Sequence, residues 1–583
     1  MIKFSSPERL DERIAPAGLV TVTFANGLLT IAGPDGADHN VEIVKTGVNA
    51  FRVEGLATDI NELGQTSKSF RGALTKVLIE GGAGADKFVV TNLDPLKSFR
   101  FNGNAGVDTL STANLKTSAG GSVEIALGSE AGSVEFLGSR TTVNGALNVD
   151  LGGGGTLALR SAVTTVNGEV TVTGGPGSDS VSVTGNKTLF KSKLNYTGGE
   201  GDDSFSAAGE LLNVRGIVTM DGGAGTDMFL FAADTNKFGN TVKPGALDLR
   251  LGEGTGTVTF LGKSTTVLAD LKIDLGTGGG TAQLNSLATT VRENLQVTGG
   301  AGNDNLNFQG RTSIGKTLSF VGDVGDDTLT ATGSMAVKGA TSMDGGIGAS
   351  RFDLNLGHIA LAGLTVTGGT SNDTVSIIAD GTIAGDANLQ LGLDGIGPSS
   401  TILKSFAGLT NGLKFGGTLT IDMIGATVDV LTIANIQVAK AFVAQTGEGV
   451  STVDLSRLNA KNDFRLQTGS GADVVNIDNV NARDFTVDTQ IGADELRIER
   501  NATYVGGSQV LGTATILTGI GADQIRVGNS SDSANLKVSF KGALTLDAGD
   551  GANMRNDILA SNLFASVPMI LTTGGTLTQT EAV

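Results

Sequence analysis

One phrase recurs along this chain, Gly-Gly-x-Gly-x-Asp-x-apolar-x-apolar, and it constrains the fold more than any other feature. It stands as GGAGADKFVV from Gly81, GGPGSDSVSV from Gly174, GGEGDDSFSA from Gly198, GGAGTDMFLF from Gly222 and GGAGNDNLNF from Gly299. Looser copies begin at Gly103, Gly322, Gly368, Thr468, Thr489 and Thr518. Their acidic residues are Asp86, Asp108, Asp179, Asp203, Asp227, Asp304, Asp327, Asp373, Asp473, Asp494 and Asp523, and most single steps are about 21 to 24 residues. Degenerate copies fill the wider gaps. In these a hydroxyl is expected to replace the carboxylate at Ser133, Thr156, Thr281 and Ser350, and further copies lie near Gly256, Thr427 and Ser451. The earliest member ends on Asp38.

Each unit carries its own strand signal. Apolar residues follow the Asp at two and four places, as in Phe88/Val90, Val181/Val183, Phe229/Phe231, Leu306/Phe308, Val475/Ile477 and Ile525/Val527. A second alternating run precedes the glycines, as in Leu194/Tyr196, Leu295/Val297 and Phe464/Leu466. Alternation with period two marks a strand with one buried face. A unit this short cannot bury that face alone, whereas a stack of similar units can. The expected fold is all-β, a single-chain parallel β-helix (β-solenoid) of roughly 20 to 24 rungs of about 24 residues each. The expected segments are a leader or cap at 1–17 with at most a short helical turn, a first irregular β region at 18–80, the β-helix at 81–560, and terminal strands at 561–583 that form an assembly end.

Composition narrows function. The 583 residues carry a formal charge of −18 and include no Cys, no Trp and only two Tyr. Without Cys there is no disulfide, zinc ribbon or thiol catalysis. An acidic chain lacks the basic patches that bind phosphate backbones, so no nucleic-acid partner is expected. The apolar runs are strand-sized, so no membrane span is expected, and the first residues show no apolar signal core after Lys3. Polysaccharide-cleaving β-helices need clustered carboxylates or bases and usually aromatic rings for sugars. Here Tyr196 occupies an inward repeat position and Tyr504 stands alone, while the acids are spread by the period. His39 and His358 have no ligand spacing and are expected on the surface. The GKS at Gly262 lacks the glycine a phosphate loop requires, since Thr257 holds that place. The chain is therefore expected not to be an enzyme.

The phrase resembles the nonapeptide of the haemolysin-type (RTX) calcium-binding proteins. That resemblance implies calcium held by the eleven repeat aspartates, Asp86 through Asp523, with Asp179/Asp203/Asp227, Asp304/Asp327 and Asp473/Asp494/Asp523 as the best rows. The family repeats every nine residues, whereas one copy per turn occurs here, so at most one edge would bind metal in that manner. Carboxylates stacked about 4.8 Å apart repel by about 3.5 kcal/mol at an effective dielectric of 20, a cost that a shared divalent ion removes. The competing reading is a purely structural turn, in which Asp accepts backbone N–H groups and Ser or Thr can substitute.

Dense acidity without Cys is also similar to bacterial surface-layer and matrix proteins. The string PERLDERIAP from Pro7 to Pro16 resembles a short Leu-Glu-x-Arg-x-x-Pro signature near the start of large exported bacterial surface proteins. These resemblances imply an extracellular structural protein at the cell surface or in the matrix, its partner another copy of itself or a cell-surface polysaccharide. Uncovered ends of the stack would join head-to-tail into a filament or layer. The alternatives are a calcium-dependent adhesin or glycan-binding protein, and a polysaccharide lyase or hydrolase.

Overall fold

The structure is a computed structural model. It describes residues 18–550 except 34–35, 95, 240–244, 393–396, 407–411, 500–506 and 529–537, together with the backbone of four short strands between 555 and 578. The leader at 1–17 and Tyr504 lie outside the described residues. Two compact units, Met1–Ala246 and Leu247–Val583, are each built of parallel stacked coils. Among the described residues there is no helix, so none is long and apolar enough to cross a membrane. The turns number about 17 at about 24 residues each. That is below the 20 to 24 rungs expected, because the residues up to Arg71 are spent largely on antiparallel hairpins.

A typical turn of the first unit has three short sides: Ser180–Val183, Lys187–Phe190 and Leu194–Glu200. Each pairs in parallel with the corresponding side one turn on, Val181 with Phe205, Thr188 with Leu212 and Tyr196 with Met220. The second unit repeats the scheme, with Leu306 beside Leu329, Thr312 beside Met335 and Phe320 beside Met343. Alternation explains why these segments are strands: in Ser180–Val183, Val181 and Val183 are buried while the serines stay half-exposed. The inward residues stack in ladders from turn to turn. Phe442, Phe464 and Phe485 lie with ring centres 5.1 and 4.7 Å apart, and a fully buried side chain of this type contributes about 1.5–3 kcal/mol. Tyr196 is buried, as its repeat position implies.

The start of the first unit departs from the coil. Gly18–Ala25 pairs antiparallel with Leu28–Ala32, and Ala50–Gly55 pairs antiparallel with Asn40–Gly47 on one edge and Ser67–Arg71 on the other. Leu28–Ala32 and Asn40–Gly47 in turn pair in parallel with the following coil, at Lys76–Gly82 and Lys87–Thr91. The hairpins thus cover strand edges expected to be open.

Candidate functional site

The repeat aspartates form one internal column in each unit. All eleven are at most 1% exposed. At the corner before the first side, where the next turn carries an Asp, that carboxylate accepts the N–H of the column residue one turn back, whereas the Asp327 N–H, facing Ser350, donates to the Ala349 carbonyl at 3.0 Å. In the first unit the Asp179 N–H donates to Asp203 Oδ1 at 2.6 Å and the Asp203 N–H to Asp227 Oδ1 at 2.9 Å. The Asp86 N–H reaches Asp108 Oδ1 at 2.9 Å. In the second unit the same contact joins Asp304 to Asp327, Asp473 to Asp494 and Asp494 to Asp523, at 2.8, 2.9 and 3.0 Å. Ser350 donates its N–H to Asp373 Oδ1 at 3.1 Å. Each column carbonyl also accepts the next turn's N–H, as Asp179 does from Ser204 at 2.8 Å. The three rows named from the sequence are therefore brought together as consecutive rungs.

Register revises four of the sequence assignments. Ser133, Thr156 and Thr281 are not column residues; pairing of Thr109 with Ser133, Thr156 with Ser180 and Thr281 with Asn305 places Gly132, Gly155 and Gly280 there instead. Asp38 is outside the column and accepts the Ala85 N–H at 2.8 Å. Its neighbour His39 takes the column position, 1% exposed, with Nδ1 2.7 Å from Asp86 Oδ1. The surface expected for His39 is wrong because its strand, one residue out of phase with the Asp38 reading, turns it inward. His358 does lie exposed on a strand face. Asp429 was missed: it is 1% exposed, aligned between Ser399 and Ser451, and accepts the Gly447 N–H at 2.6 Å. Leu431 and Ile433, two and four places beyond, carried the signal.

What fills the corner depends on a pair of positions five residues apart, or four in the shorter turn of Leu151 and Gly155. In the aspartate turns from Asp86 to Asp373 the earlier member is glycine: a Cβ on Gly198 would stand 2.2 Å from Asp203 Oδ2, and one on Gly103 2.2 Å from Asp108 Oδ2. Where the column residue is Gly132 or Gly155, the earlier member becomes Leu127 or Leu151, both fully buried. The second unit does the same with Leu275 before Gly280. A carboxylate and an isobutyl group are thus exchangeable fillers of one space. Later turns use Thr468, Thr489 and Thr518 ahead of Asp473, Asp494 and Asp523.

Burial governs the electrostatics. It pushes Asp203 up to about 7, with the neighbouring charges of Asp179 and Asp227 adding to the rise. It pushes Asp108, Asp327, Asp494 and Asp429 up to about 6. Asp179, Asp227, Asp304, Asp373, Asp473 and Asp523 are raised for the same leading reason. The Oδ2 atoms of Asp86, Asp108, Asp203, Asp227 and Asp327 are buried without a hydrogen-bond partner. The Oδ2 atoms of Asp473 and Asp494 are left in the same state. Among the described residues no three His, Cys, Asp or Glu side chains converge as a metal site. The hydrogen bonds from turn to turn give the column carboxylates a turn-filling role.

Comparison with models of known protein families and with curated proteins gives no match for this chain.

Proposed function

We propose that the chain is an extracellular structural protein whose solenoid is a building block of a filament or surface layer, assembled from copies of itself. The observation that carries this reading is the corner column: the residues the chain repeats most faithfully are spent inside the stack, holding one turn to the next. A repeat conserved in this way within one molecule serves length and regularity, which are what a scaffold needs. The acidic charge keeps isolated copies dispersed until specific contacts form. With hairpins over the first coil, contact at that end would run through the hairpin sheet and not through coil strands. Calcium in the turns, an adhesin's glycan contacts and a lyase's cleft have less support, since Leu127 and Leu151 replace the acid side chain without loss of the stack.

Negative-stain microscopy of the purified chain over a range of concentrations, with calcium and with chelator, tests the reading. Ordered polymers in both conditions support it. Single particles at every concentration refute it, and polymers that dissolve in chelator would return calcium to the turns.

A further inference from the structure

The hairpin sheet of the first unit ends on an unpaired edge. Ser67–Arg71 pairs with Ala50–Glu54 and, among the described residues, with no other strand. The register sets Arg71 beside Ala50, Ser69 beside Arg52 and Ser67 beside Glu54. Two hydrogen bonds at 2.8 Å, from the Gly55 N–H to the Thr66 carbonyl and from the Gly72 N–H to the Asn49 carbonyl, fix the phase of the ladder. Antiparallel pairs alternate between residues that exchange bonds and residues that turn their backbone groups away. Counting in twos from those bonds, Val53 with Lys68 and Phe51 with Phe70 exchange bonds. Ser67, Ser69 and Arg71 therefore aim N–H and C=O outward, and all three are exposed.

We propose that this edge joins two copies of the chain, antiparallel, about a two-fold axis through Ser69. Pairing centred there sets Ser69 against Ser69 of the second copy, and Ser67 against its Arg71. Every outward-facing residue then meets another, which makes about six backbone hydrogen bonds. The same register puts Lys68 opposite Phe70 of the second copy on the sheet face where these side chains lie. Within one copy the Lys68 ammonium already stands 5.8 Å from the Phe70 ring centre, so the new neighbour offers a second ring face to the same cation. Arg71 meets a serine, so no like charges stand directly opposite, which is the arrangement that would otherwise block such an edge. A shift of two residues in either direction loses bonded pairs, and a shift of one turns the inward face outward. The edge is self-complementary in one register only.

The chain has no cysteine, so Ser69→Cys places a single thiol on the axis. Bonded antiparallel pairs hold their Cα atoms about 5.5 Å apart, inside the span of a disulfide. Mild oxidation should cross-link Ser69→Cys into a dimer in about tenfold higher yield than Ser67→Cys, whose thiols would face Arg71. Sedimentation of the unaltered chain should show a concentration-dependent dimer. Ser69→Pro, which removes an outward donor where an edge strand tolerates proline, should sediment as a monomer with the melting profile of the unaltered chain. Equal cross-linking of the two cysteine variants, a monomer at about 100 μM, or a dimer that persists in Ser69→Pro overturns the proposal. The inference stands apart from the assembly reading: dimers that never polymerise leave it intact, and polymers that survive Ser69→Pro remove the two-fold contact alone.

Discussion

Exchanging the two fillers of one corner tests the logic of the column. In the turn of Gly198 and Asp203, Gly198→Leu alone sets a Cβ 2.2 Å from Asp203 Oδ2 and 2.3 Å from the Gly222 carbonyl. Overpacking of this kind costs about 1–3 kcal/mol. Asp203→Gly alone leaves the buried Asp179 N–H without its 2.6 Å acceptor, which costs about 1–3 kcal/mol, and opens the space the carboxyl filled. If the sites were independent the double variant would lose about 2–6 kcal/mol. The Leu127/Gly132 and Leu151/Gly155 turns show that leucine fills the space a carboxyl leaves. The double variant should therefore recover about 1–2 kcal/mol relative to the sum, the rest remaining with the Gly222 carbonyl and the Asp179 amide. Because stacked repeats do not unfold in one step, the assay is native-state hydrogen exchange at Ser204 and Phe205. Each 1.4 kcal/mol there is about a tenfold change in exchange rate. A double variant as damaged as the sum of the singles, or more so, refutes the shared-space argument.

Four further outcomes follow from the same geometry. The raised Asp203, Asp108 and Asp327 bind protons more tightly folded than unfolded, so the stability they lend is full below about pH 4 and is lost as pH rises through about 6 to 7. Urea midpoints in chelator should fall between pH 5 and pH 8, and Asp203→Asn should flatten that slope; a midpoint that rises with pH contradicts it. His39→Ala strips the buried Asp86 carboxyl of its ring partner, leaving the backbone N–H of residue 39, and should cost about 1–3 kcal/mol, read as faster proteolysis within 18–72 while the second unit keeps its protection. Phe464→Ala removes the middle of the Phe442–Phe485 stack and should cost about 3–5 kcal/mol, with exchange accelerated at Phe442 and Phe485; unchanged protection there argues against the ladder. Asp429→Ala should free the Gly447 amide to exchange faster by about tenfold or more, marking Asp429 as a column member.

Much of the architecture is legible in the linear chain. The alternation at Val181/Val183 and Phe229/Phe231 says which side chains face inward, and the recurrence of Asp179, Asp203 and Asp227 says which residues share a column, because an identical path repeated in space returns identical positions to the same place. Tertiary structure decided the rest. The inward turn of His39, the place of Asp429, the glycines at 132, 155 and 280, and the hairpins before Arg71 depend on contacts one turn or one strand away. Periodicity reports the face a residue takes along its own strand. Whether a corner is filled by a carboxylate, a leucine or a histidine ring depends on volume and hydrogen bonds supplied by a neighbouring turn, and those are settled only when the turns are stacked.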